Sequence, residues 1–355
     1  MKINLKAFNE LVNKNFIGVQ KHPDSDLLIW NYTNKAQYDG EWLPETRMAR
    51  GLITDLDGNI LYRSFDKFFN YAEHTGEDSK LEPIPNEEFS VYEKYDGSLG
   101  ILYWIDGETF ISTRGSFVSD QAKVATKILR DKYPNVPFQN LHEWTILFEI
   151  IYPENRIVVD YGEMKDLVLL NAINTETGES INYKELTKFA KENNIPIAER
   201  YQFTSLPDMN TDIPINVEGY VIEFEGGMKV KMKYDEYVRL HRLVTGVNSK
   251  TIWDLLRHKQ PFDELLDKVP DEFYDWVKKT KLNLENSYKE IEDSAKKKFK
   301  EISDLKTRKE QAFSLSGYTY PGIVFKMLDG KDYEEQIWKI IKPRAEKPFK
   351  EDVDA

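Results

Sequence analysis

The chain has no cysteine and only five histidines, none of them closely paired. Without cysteine there are no disulfides and no thiolate metal sites, which fits a reducing compartment such as the cytoplasm. So few histidines argue against a zinc centre. Any metal chemistry falls to carboxylates and a hard ion such as Mg²⁺. No apolar run approaches the roughly 20 residues of a membrane span. The opening MKINLKAFNELVNKNF is charged and amphipathic, unlike a secretory signal. An excess of basic residues is also missing: the net charge is −12. Residues 251–355 carry 21 Lys and Arg against 22 Asp and Glu, and residues 1–250 carry 28 against 39. A site for a polyanion must then gather its cations locally.

What is present suits an ordered chain of about two domains: 355 residues, 40% hydrophobic and 13% aromatic. Residues 5–15 read as an amphipathic helix and 27–32 as a strand. Residues 50–62 read as a hairpin turning at Asp57-Gly58, and the run 98–113 as a second turning at Asp106-Gly107. Residues 117–132 and 183–193 read as helices. Strands are expected at 144–152, 158–161, 167–172, 218–224 and 228–233. Beyond about Tyr237 strand signals fade, and 251–259, 263–269, 272–279, 284–314 and 332–341 read as helices. The expected fold class is α+β: an antiparallel-sheet domain over 1–245, then an all-α domain over 246–355.

The most informative stretch is Lys94-Tyr95-Asp96-Gly97-Ser98. A lysine beside a tight turn can offer its amine to a phosphate while backbone N–H groups hold the oxygens. An exposed lysine before an Asp-Gly turn is the plainer alternative. K-x-D-G arises by chance in roughly one chain in ten of this length, and with the serine in roughly one in a hundred. Glu149 interrupts the apolar run 144–152, where a carboxylate is costly unless paired or at an edge. Glu218-Gly219 opens a strand. Lys229, Lys231 and Lys233 alternate with apolar residues, so period two puts them on one face, either a solvated face or a cationic wall. Arg50 and Lys67-Phe68-Phe69 add cations and aromatic surface.

In that order the residues resemble the covalent nucleotidyltransferases: DNA ligases, RNA ligases and capping enzymes. Lys94-x-Asp96-Gly97 is similar to their nucleophile motif, Phe148-Glu149 to the third motif, Glu218-Gly219 to the fourth and Lys231-x-Lys233 to the fifth. Arg50-Gly51, Lys67-Phe68-Phe69-Asn70, Arg114-Gly115-Ser116, Asn155-Arg156-Ile157-Val158 and Tyr237-Val238-x-Leu240-His241 resemble signatures of the bacteriophage RNA ligase 1 family over about residues 25–245. Arg114 departs from the lysine usual there. The resemblance implies a nucleotidyltransferase domain followed by a helical domain that helps choose RNA.

It implies that Lys94 attacks the α-phosphate of ATP to form lysine–AMP. A free lysine has a pKa of about 10.4, and neighbouring cations and a metal disfavour its proton. By resemblance Lys231 and Lys233 stabilise the phosphate, Glu149 holds the ribose and Glu218 positions Mg²⁺, for which Mn²⁺ can substitute. Asp96 and Gly97 shape the turn, Arg50, Lys67 and Arg114 lie at the nucleotide, and Phe69 supports the base region. An aromatic at Trp30 or Tyr32 contacts the nucleotide, with Trp30 the choice made here, and Asp263 supplies a second metal contact. The AMP then passes to an RNA 5′-phosphate, which a 3′-OH attacks. The implied partners are single-stranded RNA or a broken tRNA anticodon loop and an end-healing kinase or phosphatase, with no membrane and a monomeric chain. A DNA ligase or capping enzyme resembles this chain only in the core motifs, and a β-barrel usual after their fifth motif is not read here. A non-catalytic binding module does not account for the full motif set. The basic run Lys296-Lys297-Lys298-x-Lys300 with Lys306, Arg308 and Lys309 is a candidate RNA surface, although a solvated helix balanced by Glu290, Glu292, Asp293 and Glu301 explains it more simply.

Overall fold

The computed structural model describes residues 1–76, 79–203, 217–235, 237–238, 246–269 and 274–344. It divides into two compact units, residues 1–244 and 245–355. Among the described residues no helix is long and apolar enough to cross a membrane.

The first unit is built on three sheets. One has the order β1 (Ile17–Lys21), β2 (Leu28–Tyr32), β3 (Arg50–Thr54) and β4 (Ile60–Tyr62). Its β3–β4 hairpin turns at Asp57-Gly58. Gly58 takes φ +81°, and the Asp55 carboxylate accepts the N–H groups of Asp57 and Asn59. Helix α1 (Leu5–Asn13) buries Phe8 and Leu11 against Trp30, Leu52 and Ile60 on one face of this sheet. Helices α2 (Asn34–Asp39) and α3 (Pro44–Met48) lie between β2 and β3 in the chain.

The other face, with Leu27, Ile29 and Ile53, packs on Ile101, Tyr103 and Leu147 of the second sheet. That sheet contains β7 (Ser98–Ile105), β8 (Glu108–Ser112), β9 (Trp144–Ile151) and β10 (Asp166–Asn174), in the order β10-β9-β7-β8. Asp106 and Gly107 at the β7–β8 turn both take positive φ, the geometry of a two-residue hairpin. The far face of the second sheet, with Leu102, Phe148 and Ile150, is covered by Ala125, Ile128 and Leu129 of α4 (Asp120–Lys132) and by Leu186 and Ala190 of α5 (Tyr183–Glu192).

The third sheet runs β11 (Arg200–Tyr201), β6 (Phe89–Lys94), β12 (Gly219–Phe224), β13 (Lys229–Lys233) and β5 (Phe69–Asn70). The Lys94 motif therefore does not close a hairpin. It carries the chain from the last residue of β6 in the third sheet to the first residue of β7 in the second. Around β12 the register puts Gly219 opposite both Lys94 and Lys233, and Val221 opposite Tyr92 and Lys231. One face of three adjacent strands thus holds Lys94, Lys231 and Lys233.

Two expectations need correction in detail. Residues 158–161 form no strand. Their β-branched composition suggests one, but the N–H groups of Val158 and Val159 go to the Asp96 carboxylate instead of a neighbouring strand. In the second unit, helices span Ser249–Arg257, Asp263–Lys268, Tyr274–Ile302, Arg308–Ser314, Pro321–Leu328 and Glu334–Ile340. The expected 284–314 helix is interrupted. Leu305 packs into the core, and Thr307 starts a new helix through a capping box with Glu310. The helix at Pro321–Leu328 was not read from the sequence, and it supplies Ile323 and Val324 to the same core.

Gly219 is the tightest point of the third sheet. It takes φ +149°, and a Cβ there would sit 2.1 Å from the Met232 carbonyl oxygen. Gly219→Ala is expected to destabilise the first unit by about 2–4 kcal/mol through strain and clash together. A thermal melt within 1 °C of the unaltered chain would contradict this.

Candidate active site

The strand register brings the predicted lysines onto a buried carboxylate. Glu218 is 3% exposed and directly precedes β12. Its Oε2 accepts from Lys94 Nζ at 2.6 Å, and its Oε1 lies 3.4 Å from Lys233 Nζ. Lys231, one turn of the pleat away, is nearly buried on the same face. Lys229 is committed elsewhere: it pairs with Glu223 at 2.8 Å, and Glu223 also accepts from Ser180. Among the alternating lysines, Lys233 brings its ammonium to Glu218.

Glu149 reaches the same place from the second sheet. It lies on β9, an interior strand flanked by β10 and β7, so the edge-strand explanation for its carboxylate does not hold. Its Oε1 accepts from Gly97 N at 3.1 Å. Burial pushes its pKa up to about 8. Lys94 and Arg50 pull against that rise, while Glu218 and Asp96 add to it. These charges are thus within electrostatic reach of one another. Gly97 has no room for a side chain, since a Cβ would meet the Ile150 carbonyl oxygen at 2.6 Å.

Asp96 fastens the loop that follows Lys94. It is buried, and its Oδ2 accepts from Val158 N and Val159 N, each at 2.8 Å. Its Oδ1 accepts from the Tyr237 hydroxyl at 2.7 Å, and its own N–H donates to the Tyr161 hydroxyl at 2.8 Å. A carboxylate with three donors is well satisfied in a buried setting. The Tyr161 ring also stacks on Tyr95. Leu240 and His241 of the expected Tyr237 signature lie outside the described residues.

The first sheet contributes a second group of cations. Arg50 donates to Ser64 Oγ at 3.3 Å, and burial lowers its pKa, opposed by Tyr32 and Glu149. Arg114 donates to the Tyr32 hydroxyl at 2.7 Å and lies over the Tyr32 ring. Lys67 lies 5.6, 5.2 and 5.3 Å from the ring centroids of Tyr32, Trp42 and Phe69.

Trp30 is not part of this arrangement. It is 2% exposed, donates its indole N–H to Thr54 and packs edge-on against Phe8 in the core. Period two would put Trp30 and Tyr32 on one face, but the β2–β3 register shifts between Trp30 and Asn31, and Tyr32 is the residue among the cations. Trp42 and Tyr161 escaped the sequence reading, because neither belongs to a recognisable spacing pattern. Asp263 opens a short helix of the second unit and is exposed.

Among the described residues no group of three or more His, Asp or Glu forms a metal cage. Magnesium commonly takes one or two carboxylates and completes its shell with water and phosphate. Glu218, the carboxylate expected to position a metal, lies between Lys94 and Lys233 here.

The raised pKa of Glu149 has a thermodynamic sign. Its proton stabilises the folded chain fully below the unfolded value of 4.5, and that stability is lost as pH rises through about 8. Glu149→Gln, which cannot ionise, is expected to melt progressively higher than the unaltered chain as pH rises from 5 to 8.5, by about 5 °C at the upper end. Parallel melting curves with a constant offset would contradict the assignment.

Comparison with known proteins follows the same residues. Residues 48–237 match a family described as RNA ligase. A protein of Autographa californica nuclear polyhedrosis virus, whose name joins polynucleotide kinase with RNA ligase, is 30% identical over 256 residues. That alignment covers 65% of this chain, and the chain spans only 36% of the viral protein's length. The RNA ligase of Rhodothermus phage RM378 is 24% identical over 405 residues, covering 93% of this chain and 92% of its own. An archaeal ATP-dependent RNA ligase structure covers 93% of this chain and 97% of its own with a TM-score of 0.50 at 12% identity, a likeness of fold alone. The family match takes in Arg50, Lys94, Glu149, Glu218 and both Lys231 and Lys233, and spans more than half of the sequence: this chain belongs to the RNA ligase family.

Proposed function

We propose that this chain joins RNA ends carrying a 5′-phosphate and a 3′-OH, using ATP through a lysine–AMP intermediate. The observation that carries this is Lys94 Nζ held 2.6 Å from Glu218, on a strand face shared with Lys231 and Lys233. In the first step the Nζ–P bond forms at the α-phosphate, the bond to the β-phosphate oxygen breaks and pyrophosphate leaves. The amine must shed a proton, and Glu218 Oε2 is the acceptor already in contact. In the second step an oxygen of the RNA 5′-phosphate displaces Lys94, which regains a proton. In the third, a 3′-OH attacks the activated 5′-phosphate and AMP departs.

All three steps are phosphoryl transfers, for which positioning and electrostatics do most of the catalysis. Lys231 and Lys233 supply positive charge where it builds on the phosphate. Arg50, Lys67 and Arg114 supply the cations of the first sheet. Glu149 is assigned to the ribose, Asp96 and Gly97 to the shape of the loop, and Phe69 to the support of the nucleotide pocket. Glu218 would be the carboxylate holding a divalent ion, Mg²⁺ with Mn²⁺ as substitute, which would supply positive charge beside the phosphates.

The substrates proposed are single-stranded RNA and the broken anticodon loop of tRNA, in the cytoplasm of a host cell, with a separate kinase or phosphatase preparing the ends and the ligase acting as a monomer. The helical unit is assigned to RNA choice. Its basic run is partly spent on ion pairs, Lys296 with Glu292 and Lys298 with Glu301, which favours the solvated-helix reading of those two positions.

Two measurements test the proposal. Incubation with α-labelled ATP and Mg²⁺ followed by denaturation is expected to leave label on the protein, and Lys94→Ala to carry none; label persisting in that variant removes Lys94 as nucleophile. Joining assays on single-stranded RNA, nicked duplex, broken anticodon loop and DNA are expected to favour RNA, with Glu149→Ala and Lys231→Ala slowed more than about 100-fold. Preference for nicked DNA points to a DNA ligase instead.

A further inference from the structure

The three residues between β6 and β7 are shaped by side chains from other segments. The N–H groups of Asp96 and Gly97 both go to side chains, Asp96 N to the Tyr161 hydroxyl at 2.8 Å and Gly97 N to Glu149 Oε1 at 3.1 Å. Glu149 has a part assigned above, and Tyr161 has none. The Tyr161 ring stacks on Tyr95 with 5.7 Å between centroids and 20° between planes. One side chain therefore touches both residues that follow Lys94, Tyr95 through its ring and Asp96 through its oxygen.

The segment that carries Tyr161 is itself tied down. Val158 N and Val159 N donate to Asp96 Oδ2, and Asn155 Nδ2 donates to Ser98 Oγ at 3.1 Å and to the Ile150 carbonyl at 3.0 Å. Arg156 pairs with Asp160 at 2.8 Å, and Gly162 N donates to Asp160 Oδ1 at 2.8 Å. Residues 155–162 thus form a bracket that grips the chain from Tyr95 to Ser98. Burial holds the Tyr161 phenol above its ordinary pKa; the Asp96 N–H opposes that rise, and the charges of Asp96, Glu218 and Glu149 add to it. The hydroxyl keeps its proton around neutral pH, so it serves as a neutral acceptor and not as a base.

We propose that Tyr161 is a positioning residue for the reactions of the Lys94 amine: its hydroxyl holds the Asp96 N–H and its ring holds Tyr95, so the chain leaves β6 in a fixed direction and Lys94 Nζ is kept beside Glu218. This rests on the reading that Lys94 is the nucleophile. Tyr161 touches no reacting atom in this scheme and acts through the backbone of residues 95 and 96.

The steps of the reaction differ in their need for Lys94. The Nζ–P bond forms in the first step and breaks in the second, whereas sealing of RNA that already carries a 5′-adenylate makes and breaks no bond to Lys94. Two rates are measured on each variant: single-turnover formation of labelled lysine–AMP across ATP concentrations, and sealing of 5′-adenylated single-stranded RNA without ATP. Tyr161→Phe keeps the ring and loses the hydroxyl. It is expected to slow maximal lysine–AMP formation about tenfold, the scale of a buried N–H left without its acceptor, with the half-saturating ATP concentration and the sealing rate within about twofold of the unaltered chain. Tyr62→Phe is the matched control, because the Tyr62 hydroxyl accepts from Trp104 N at 3.3 Å, the same kind of contact at the far end of β7. It is expected to leave the ratio of the two rates unchanged.

A ratio of lysine–AMP formation to sealing that falls in Tyr161→Phe and holds in Tyr62→Phe supports the inference. An unchanged ratio in Tyr161→Phe, or an equal fall in Tyr62→Phe, overturns it. Both rates are taken on the same preparation, so a variant that melts lower is still scored. A raised half-saturating ATP concentration with an unchanged maximal rate also overturns it, since that makes Tyr161 a binding residue. Absence of lysine–AMP or of sealing on the unaltered chain fails the parent reading. Normal labelling and sealing with an unslowed Tyr161→Phe fails this inference alone.

Discussion

The buried Glu218 carboxylate is the interaction on which the rest of the cleft depends. An ionised carboxylate at 3% exposure is tolerable only with opposite charge beside it. Lys94 and Lys233 supply that charge from two strands, β6 and β13, which flank β12 on either side. The arrangement is reciprocal. The glutamate is held by the lysines, and the lysines are drawn to one point although 139 positions of sequence separate them. Gly219 permits this closeness, because its missing side chain lets the Met232 backbone approach where both lysine-bearing strands meet.

Asp96 plays the corresponding part for the second sheet. Its carboxylate gathers N–H groups from the 158–159 segment and a hydroxyl from Tyr237, so one side chain ties the Lys94 loop to two distant stretches. Glu149, accepting from Gly97, links that loop to β9. The position of Lys94 is then set by contacts from both sheets.

Much of this was legible in the sequence. The hairpins at Asp57-Gly58 and Asp106-Gly107 are local, and turn chemistry alone specifies them. Lys94, Glu149 and Glu218 stand out because each breaks the pattern around it or occurs in a recognisable order. The features that stayed hidden depend on contacts distant in sequence. Residues 158–161 have strand composition, yet their N–H groups are claimed by a carboxylate about 60 residues earlier. Trp30 and Tyr32 differ by a register shift that no composition reveals. Trp42 has no spacing signature, and it acquires meaning only where its ring stands beside Lys67.

The crossover from β6 to β7 has a mechanical consequence. Only Tyr95, Asp96 and Gly97 lie between the last residue of one sheet and the first of the other. Three residues have almost no slack, so they act as a strap of fixed length beside Lys94. The two sheets cannot part there without pulling Gly97 from Glu149 or Lys94 from Glu218. The Lys94 amine thus sits beside the strap, where the two sheets are tied most tightly.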